Sequence, residues 1–475
     1  MREMTRPEHA GPVDRDDPPA SDVAPFPAAI ERVADVAQRP LGWLWARGFR
    51  FLFVLDAIVL FASMVLINLA RFGTNWPTYP LSHYWIGFSI ATVIHLAVNY
   101  FAGLYEREPR LGFRPWLPRI AVAMAIGVGA QGVAFVLLDR YLMPRLNLIA
   151  LFLVGSLALA ANRGISRNLA NRRRGPSRVL LVGSGAAIAA AERHFEMHGE
   201  EARVVGSVAT TSGLFDRVQS LDATDVLLLD LAAFESAFPE PLGALDREGV
   251  GVLQRVSAHE TLLGLQSVRQ IAGMPFTRVR THAMASHQLR LKRIFDLVLT
   301  VVTLPVWAFA IGLLAIYVRI RAGSPVFYRQ TRVGRDNCPF TVLKFRTMRP
   351  DAEVAGPQLA SRDDDRVVPG LAWMRSSRAD ELPQLWNVLK GEMSLVGPRP
   401  ERPELVRDIE REVPGYSRRH ELPPGLTGMA QVYGRYDTDP FHKLGYDLQY
   451  LVNWSLVLDV QLLARTVWVV VSRRV

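Results

Sequence analysis

Between Arg378 and Pro400 the chain reads RADELPQLWNVLKGEMSLVGPRP, with two adjacent carboxylates, Asp380 and Glu381, upstream of an arginine held between prolines, Arg399. An ionised carboxylate can serve as a nucleophile or as a general acid–base group, and an arginine fork grips phosphate oxygens through paired hydrogen bonds. Further upstream, SPVFYRQTRVGRDNCPFTVLKFRTM crowds Arg329, Arg332, Arg335, Lys344 and Arg346 into one short stretch. Acids beside concentrated cations suit a phosphorylated substrate. Two carboxylates and a pyrophosphate repel one another, so a divalent cation such as Mg²⁺, held by Asp380 and Glu381, is the expected mediator. Read alone, the acid pair demands no catalysis. Leu382, Leu385, Trp386 and Leu389 recur at helical spacing, Pro383 suits a first turn and Gly391 a C-terminal cap. Asp380 is then the expected N-cap and Glu381 a first-turn acid. Each basic cluster, taken singly, is as well explained as solvated surface.

The elements that would position these residues point to a membrane. The apolar run Leu297 to Val318 approaches the ~20 residues that cross a bilayer core. Lys292 and Arg293 precede it and Arg319 and Arg321 follow it, so both ends ask for the cytoplasmic side. Pro305 removes a backbone donor and clashes with the preceding turn, which predicts a bend. A helix over 292–320 that enters, bends and returns satisfies both signals; the competing possibility is an ordinary fifth span.

Four more apolar runs, at residues 51–70, 84–104, 120–138 and 146–161, predict a transmembrane bundle over 46–165. Arginines cluster before the first run, between the second and third, and after the fourth, whereas the other two loops carry only Arg71, and Arg140 with Arg145. Positive charge therefore alternates so that both ends of the bundle face the cytoplasm. Beyond it, SRVLLVGSGAAIAAAERHF is a strand, a glycine turn and an alanine-rich helix, and alternating segments such as ATDVLLLDL continue to about residue 270. This is a Rossmann-like α/β pattern over 177–270. Gly183 and Gly185 are present, but Ile188 fills the third fingerprint position and RVVGSVATT offers no acid for a ribose hydroxyl. A structural or regulatory domain is expected rather than a dinucleotide site.

The bulk properties agree. Of 475 residues, 49% are hydrophobic, and the mean hydropathy is +0.12, which suits a membrane-attached protein. A net charge of +10 fits nucleic acid, anionic lipid or phosphorylated small molecules, but the arginines are juxtamembrane or interleaved with the acid pair, which argues against nucleic acid. One cysteine, Cys338, excludes an internal disulfide and a cysteine-rich zinc site. Residues 1–45 read as a disordered cytoplasmic tail, their first part polar and proline-rich without the apolar core of a secretory signal.

Over roughly residues 289–475 the chain resembles the bacterial sugar transferases, the monotopic polyprenyl-phosphate phosphoglycosyl transferases. LKRIFDLVLT, FYRQTRVGRDNCPFTVLKFRTM, ADELPQLWNVLKGEMSLVGPRP, PPGLTGMAQVYGRYDT and YDLQYLVNWSLVLDVQLLARTVWVVV carry the resemblance in order. The preceding spans and α/β domain look like the long form of the family. The fold so implied is a mixed α and α/β membrane protein: a four-helix transmembrane bundle, a Rossmann-like domain, and a mainly helical monotopic catalytic domain over 285–475 with a re-entrant helix. The resemblance implies transfer of a sugar 1-phosphate from a UDP-sugar donor to undecaprenyl phosphate, releasing UMP and initiating exopolysaccharide, capsule or O-antigen synthesis. Asp380 matches the nucleophile that forms a phosphosugar-aspartyl intermediate, and Glu381 its partner acid. Arg399 and Arg375 match phosphate-holding arginines, joined in that role by Lys344, Arg346 and Arg332 from the basic stretch. Lys292, Arg293 and Asp296 match the opening of the membrane-dipping helix, where with Pro305 they would anchor it at the interface. Met429, Tyr433 and Ala379 depart from the usual residues, so contacts to the donor sugar do not carry over. The expected setting is the bacterial inner membrane, multi-pass, with the active site facing the cytoplasm. The expected partners are donor, acceptor lipid, bilayer and, as an assembly, a homodimer. Two other functions would share parts of this architecture: a membrane scaffold or regulator, and an NAD-dependent nucleotide-sugar dehydratase. The latter needs a Tyr-x-x-x-Lys pair, and no tyrosine here has a lysine four residues on.

Overall fold

The computed structural model describes residues 49–106, 111, 116–138, 143–198, 202–257, 260, 268–279, 284–352, 364–434 and 439–471, so the expected tail over 1–45 lies outside the described residues. Helices α1 (Phe49–Phe72), α2 (Leu81–Phe101), α3 (Trp116–Leu137) and α4 (Arg145–Arg174) correspond to the four apolar runs. With one later helix they make five, among the described residues, that are long and apolar enough to cross a membrane, which makes this a membrane-associated protein. α4 runs past the expected 165 boundary to Arg174, because nothing in the arginine-rich stretch breaks a helix until Gly175, at φ 67°, and Pro176.

Large residues such as Leu60, Met64, Phe88, Ile120, Met124 and Leu151 fill the space between the four helices, while Leu66, Val93, Val122 and Leu157 stay exposed on the outside. That inversion of the usual surface is what lipid requires. Inside, Asp56 of α1 is fully buried and accepts hydrogen bonds from Asn162 (2.6 Å), both Arg163 Nη atoms (2.9 and 2.6 Å) and the Tyr105 hydroxyl (2.9 Å). A charge in an apolar bundle is tolerable only when paired and hydrogen-bonded in this way. The network ties α1 to α4 and to the α2–α3 connection.

Strands β1 (Ser177–Val182), β2 (Ala202–Val208), β3 (Asp225–Leu228), β4 (Gly251–Arg255), β5 (Val268–Ile271) and β6 (Met274–Arg278) form one sheet in the order β2-β1-β3-β4-β6-β5. β2, β1, β3 and β4 are parallel, and β6 and β5 continue the sheet antiparallel, past the expected end at 270. Helices α5 (Gly185–His198), α6 (Leu214–Ser220), α7 (Leu231–Ala237) and α8 (Leu242–Arg247) provide the crossovers. The strand order reverses between β1 and β3, since β2 is added on one side of β1 and β3 on the other, and such a switch point is where sheets of this kind bind ligands. There the Ser184 N–H donates to Asp230 Oδ2 at 2.8 Å, and the Ala233 N–H to Oδ1 at 2.9 Å. An internal carboxylate thus takes the glycine-turn amide that would otherwise face a phosphate.

In the C-terminal unit α9 (Ser286–Val302) and α10 (Leu304–Ala322) are separated at Thr303. Pro305 lies in the first turn of α10, so the break falls just ahead of it. The Thr300 carbonyl near the break accepts from Trp307 Nε1 at 2.9 Å. An antiparallel hairpin follows, β7 (Phe327–Val333) and β8 (Pro339–Phe345), then α11 (Ala372–Ser376), a 3₁₀ turn (Ala379–Gln384) and α12 (Leu385–Lys390). β9 (Ser394–Val396) pairs in parallel with β10 (Gly425–Thr427), and between them lie α13 (Pro403–Glu412) and a 3₁₀ turn (Tyr416–Glu421). α14 (Met429–Tyr433), α15 (Pro440–Asn453) and α16 (Leu456–Val471) complete the unit. Its core joins Val342, Leu385, Val388, Met393, Leu395, Tyr450, Trp454 and Leu462, so the hairpin, the acid segment and the last helices fold as one body.

Candidate active site

Strand alternation decides which cations meet the acid pair. In the β7–β8 register Tyr328 opposes Lys344, Gln330 opposes Val342 and Arg332 opposes Phe340, whereas Arg329 opposes Leu343. Directly opposed residues share a face, so Lys344 and Arg332 look one way and Arg329 the other. The first face opens on a cleft lined by Arg332, Val342, Lys344, Glu381, Gln384, Arg399 and Pro400. Arg329 and Arg335 line a separate groove with Trp386 and Lys390.

Asp380 is not the N-cap expected from the sequence. Arg378, at φ 57°, turns the chain into the 3₁₀ helix, and no side chain caps it. Pro383 contributes to this: of the two N–H groups that a cap at Asp380 could bond, those of the second and third residues on, the proline lacks its own. The turn tightens, regular α-helix begins only at Leu385, and Gly391 (φ 90°) closes it as expected. The two carboxylates consequently meet different surroundings.

Glu381, 5% exposed, is the centre of a cationic cluster. Its Oε1 accepts from Lys344 Nζ at 2.9 Å and from Arg399 Nη2 at 2.8 Å, while Oε2 lies 3.5 Å from Arg399 Nη1 and 3.7 Å from Arg378 Nη1. Burial would raise its pKa, but Arg399, Lys344 and Arg378 overcome that and hold the carboxyl well below its ordinary range. The exchange is mutual: Glu381 raises the Arg399 pKa, whereas burial depresses that of Lys344 in spite of Glu381. Asp380, 9% exposed, has neither a hydrogen bond nor an ion pair among the described residues. Burial first, then the charge of Glu381, pushes its pKa up to about 6, against the opposing pull of Lys344, Arg375 and Arg399. Environments that drive two adjacent carboxylates apart assign them different work. Glu381 is a permanent anion that organises cations. Asp380 keeps its oxygens unpaired beside those cations, as a nucleophile directed at a phosphate requires.

Other residues singled out in the sequence fall elsewhere. Arg346 is buried, and its guanidinium donates to the carbonyls of Ser324 (2.9 Å) and Ala322, so it caps the end of α10 and does not line the cleft. Lys292 and Asp296, expected to anchor the helix at the membrane interface, are 1% and 2% exposed and find their partners within the protein. Lys292 Nζ pairs with Asp459 at 2.8 Å, and Asp296 accepts from the Ser394 hydroxyl at 2.7 Å and the Leu395 N–H at 3.2 Å. Arg293 donates to the carbonyls of Val388 and Leu389, capping α12. All three fasten the apolar helix to the protein, because a charge that α9 buries finds partners there and none in lipid. Arg332 spends Nε and Nη2 on Gln330 Oε1 and Nη1 on the Pro400 carbonyl. Arg375, half-buried on α11, acts on Asp380 through its charge. Sequence reasoning missed Arg378, whose signal was its i,i+3 spacing from Glu381, and Gln384, which had none.

A divalent cation finds only part of a site. Among the described residues no group of three His, Cys, Asp or Glu side chains converges, and Glu381 is already engaged by three cations. Asp380 alone offers free carboxylate oxygens, so any such ion needs oxygens from a substrate as well.

Fold and site together define a membrane-associated protein with a buried free carboxylate beside a cluster of cations gathered on Glu381. The comparisons with known proteins agree, and the chain belongs to the bacterial sugar transferase family, whose description matches residues 287–473. An uncharacterised sugar transferase of Bacillus subtilis (strain 168) is 42% identical over 181 residues, 37% of this chain and 85% of that protein. A UDP-glucose:undecaprenyl-phosphate glucose-1-phosphate transferase of Caulobacter vibrioides is 38% identical over 181 residues, 37% of this chain and 68% of the relative. A UDP-N-acetylgalactosamine-undecaprenyl-phosphate N-acetylgalactosaminephosphotransferase of Aeromonas hydrophila is 39% identical over 180 residues, 37% of this chain, and there the match spans only 43% of the relative.

Proposed function

We propose that this protein transfers a sugar 1-phosphate from a UDP-sugar to undecaprenyl phosphate at the cytoplasmic face of a bacterial inner membrane, releasing UMP and starting assembly of an exopolysaccharide, capsule or O-antigen. One observation carries the reading: Asp380 is free beside a Glu381 that gathers Lys344, Arg378 and Arg399. The names of the relatives, which act on UDP-sugars and undecaprenyl phosphate, supply donor and acceptor classes. In the first step an Asp380 oxygen attacks the β-phosphorus; the bond to the bridging oxygen breaks and UMP departs with the electron pair, leaving a phosphosugar-aspartyl acyl phosphate. In the second, the phosphate of the lipid attacks the same phosphorus and the carboxylate leaves. Two steps let a soluble donor and a membrane acceptor use one phosphate pocket in turn. Arg399 and Lys344 neutralise the charge that develops, with Arg375 beside them. Bound Mg²⁺, held by Asp380 together with the donor's phosphate oxygens, would add further neutralisation. The decisive assay incubates membranes holding the protein with undecaprenyl phosphate and a panel of UDP-sugars and follows UMP; no release with any donor overturns the proposal.

Because the attacking group must be ionised, kcat/KM for the donor is expected to fall as pH drops through about 6, the value to which burial and Glu381 raise Asp380. A rate flat down to pH 4.5 would contradict this assignment.

The helix pair α9–α10 we read as re-entrant. Its support is that both ends hold the same unit: Lys292 and Arg293 at one end, and at the other Tyr317, which donates to the Gly370 carbonyl at 2.8 Å, and Arg321, which donates to that of Pro369 at 3.0 Å. The apolar surface between them, including Val306, Phe309, Leu313 and Ile316, is exposed. In a Cys338→Ser background, cysteines replacing Ser286 and Ser324 should react with an impermeant thiol reagent from one membrane face. Labelling from opposite faces would restore a spanning helix. The sheet over 177–278 we take as a Rossmann-like domain without a working dinucleotide site, and a homodimer remains our expected assembly.

A further inference from the structure

We propose that Arg419 is a positioning residue for the transfer, holding the backbone that presents Arg399 to Glu381 and to the donor phosphates. The inference rests on the transferase reading and deepens it. Arg419 lies in the 3₁₀ turn Tyr416–Glu421, is 1% exposed, and does not line the cleft. Its Nη2 donates to the Arg399 carbonyl at 3.2 Å and pairs with Asp447 of α15 at 2.8 Å. Nη1 donates to the Tyr416 hydroxyl, and the guanidinium lies 4.8 Å over the centre of that ring.

The neighbouring backbone is held in the same way. Arg332 Nη1 donates to the Pro400 carbonyl at 3.1 Å, and the Val333 N–H to the Glu401 carbonyl at 2.9 Å. The Glu401 carboxylate lies between the two guanidiniums, 3.8 Å from Arg332 and 4.0 Å from Arg419. Three successive carbonyls, at Arg399, Pro400 and Glu401, thus each meet a fixed donor in a stretch that belongs to neither helix nor strand. Prolines on both sides stiffen Arg399 but cannot locate it; the donors do that. Arg419 ties the loop to α15, and Arg332 and Val333 tie it to the hairpin bearing Lys344. The turn carrying Arg419 is itself buttressed from the α/β sheet unit, where Arg418 lies 5.7 Å over the Phe238 ring and Gly415, at φ 86°, packs on Pro239.

The test is a double-mutant cycle on the full-length protein in membranes, reading UMP release with an active donor. Arg419→Lys keeps the charge but loses the fork, and is expected to lower kcat/KM about tenfold, since a small displacement of a positioned group is costly. In an Arg399→Ala background the same change should cost less than twofold, because nothing remains to be positioned. A purely structural role predicts the same fold loss in both backgrounds, and that result would overturn the proposal. Should Arg419→Lys not fold, Asp447→Asn, which loosens the anchor while keeping its shape, carries the same two expectations. Wild-type protein without UMP release, or release surviving Asp380→Asn, defeats the transferase reading; additive losses on an active wild type defeat only the role of Arg419.

Discussion

Asp380→Asn is expected to stop the reaction, with UMP release down by about 10⁴-fold or more and no labelled phosphosugar retained on the chain, as for the loss of other covalent nucleophiles. The amide has the shape of the carboxylate but no lone pair of comparable basicity to attack phosphorus. Stability should respond in the opposite sense, and this separates chemistry from misfolding. The folded-state pKa of Asp380 is raised, to about 6 from 3.8, so the native protein binds the proton more tightly than the unfolded chain does. Ionisation therefore works against folding as pH rises from about 4 to about 6, and that cost is fully present above this window. The amide removes it. At pH 7.5 the variant should melt no lower than the wild type while being inactive. Retained adduct in the variant, or inactivity accompanied by a large fall in melting temperature, would count against the assignment.

Lys292→Ala is expected to give the largest loss of stability among single substitutions in the C-terminal unit, about 3–5 kcal/mol, the usual result of stripping one partner from a buried ion pair. Lys292 pairs with Asp459 at 2.8 Å and stands 4.0 Å from Asp296. Asp459 also accepts from the Tyr450 hydroxyl at 2.6 Å and from Trp454 Nε1 at 3.2 Å, and Asp296 from Ser394 and Leu395. Those neutral donors cannot replace the ammonium, so alanine leaves two buried carboxylates without a counter-charge. The position matters beyond stability: Lys292 and Asp296 join α9 to α16 and β9, and Arg293 joins it to α12, the helix that follows the acid pair. The check is thermal unfolding in detergent or nanodiscs, with the double variant Lys292→Ala, Asp459→Asn expected to recover part of the loss. An unchanged melting temperature would show that water reaches this cluster.

Much of this was legible along the chain. The apolar runs that became α1 to α4 stood out because lipid asks for long uninterrupted segments, and the break before α10 was announced by Pro305. Gly391 ended its helix as its freedom at positive φ suggested. Glycine spacing also warned that the sheet unit lacked a complete fingerprint. Asp230 could not be found that way, because the residue that fills the glycine turn comes from another strand's end.

Charges were another matter. Arg332, Arg335, Arg346, Lys344 and Lys292 look alike in sequence, as cations near apolar segments, and folding sent them to a cleft wall, a separate groove, a helix cap, the acid pair and a buried ion cluster. Residue type and local periodicity determine which segments must be helix, strand or membrane-embedded, because those depend on neighbours a few positions away. The identity of the chemical group, an Asp-Glu pair among clustered cations, was likewise written in the chain. Which acid stays free and which becomes the hub depended on Lys344 and Arg399 arriving from either side of the segment, and only long-range packing brings them. Desolvation and charge act through space, so the division of labour between Asp380 and Glu381 was decided by the tertiary structure.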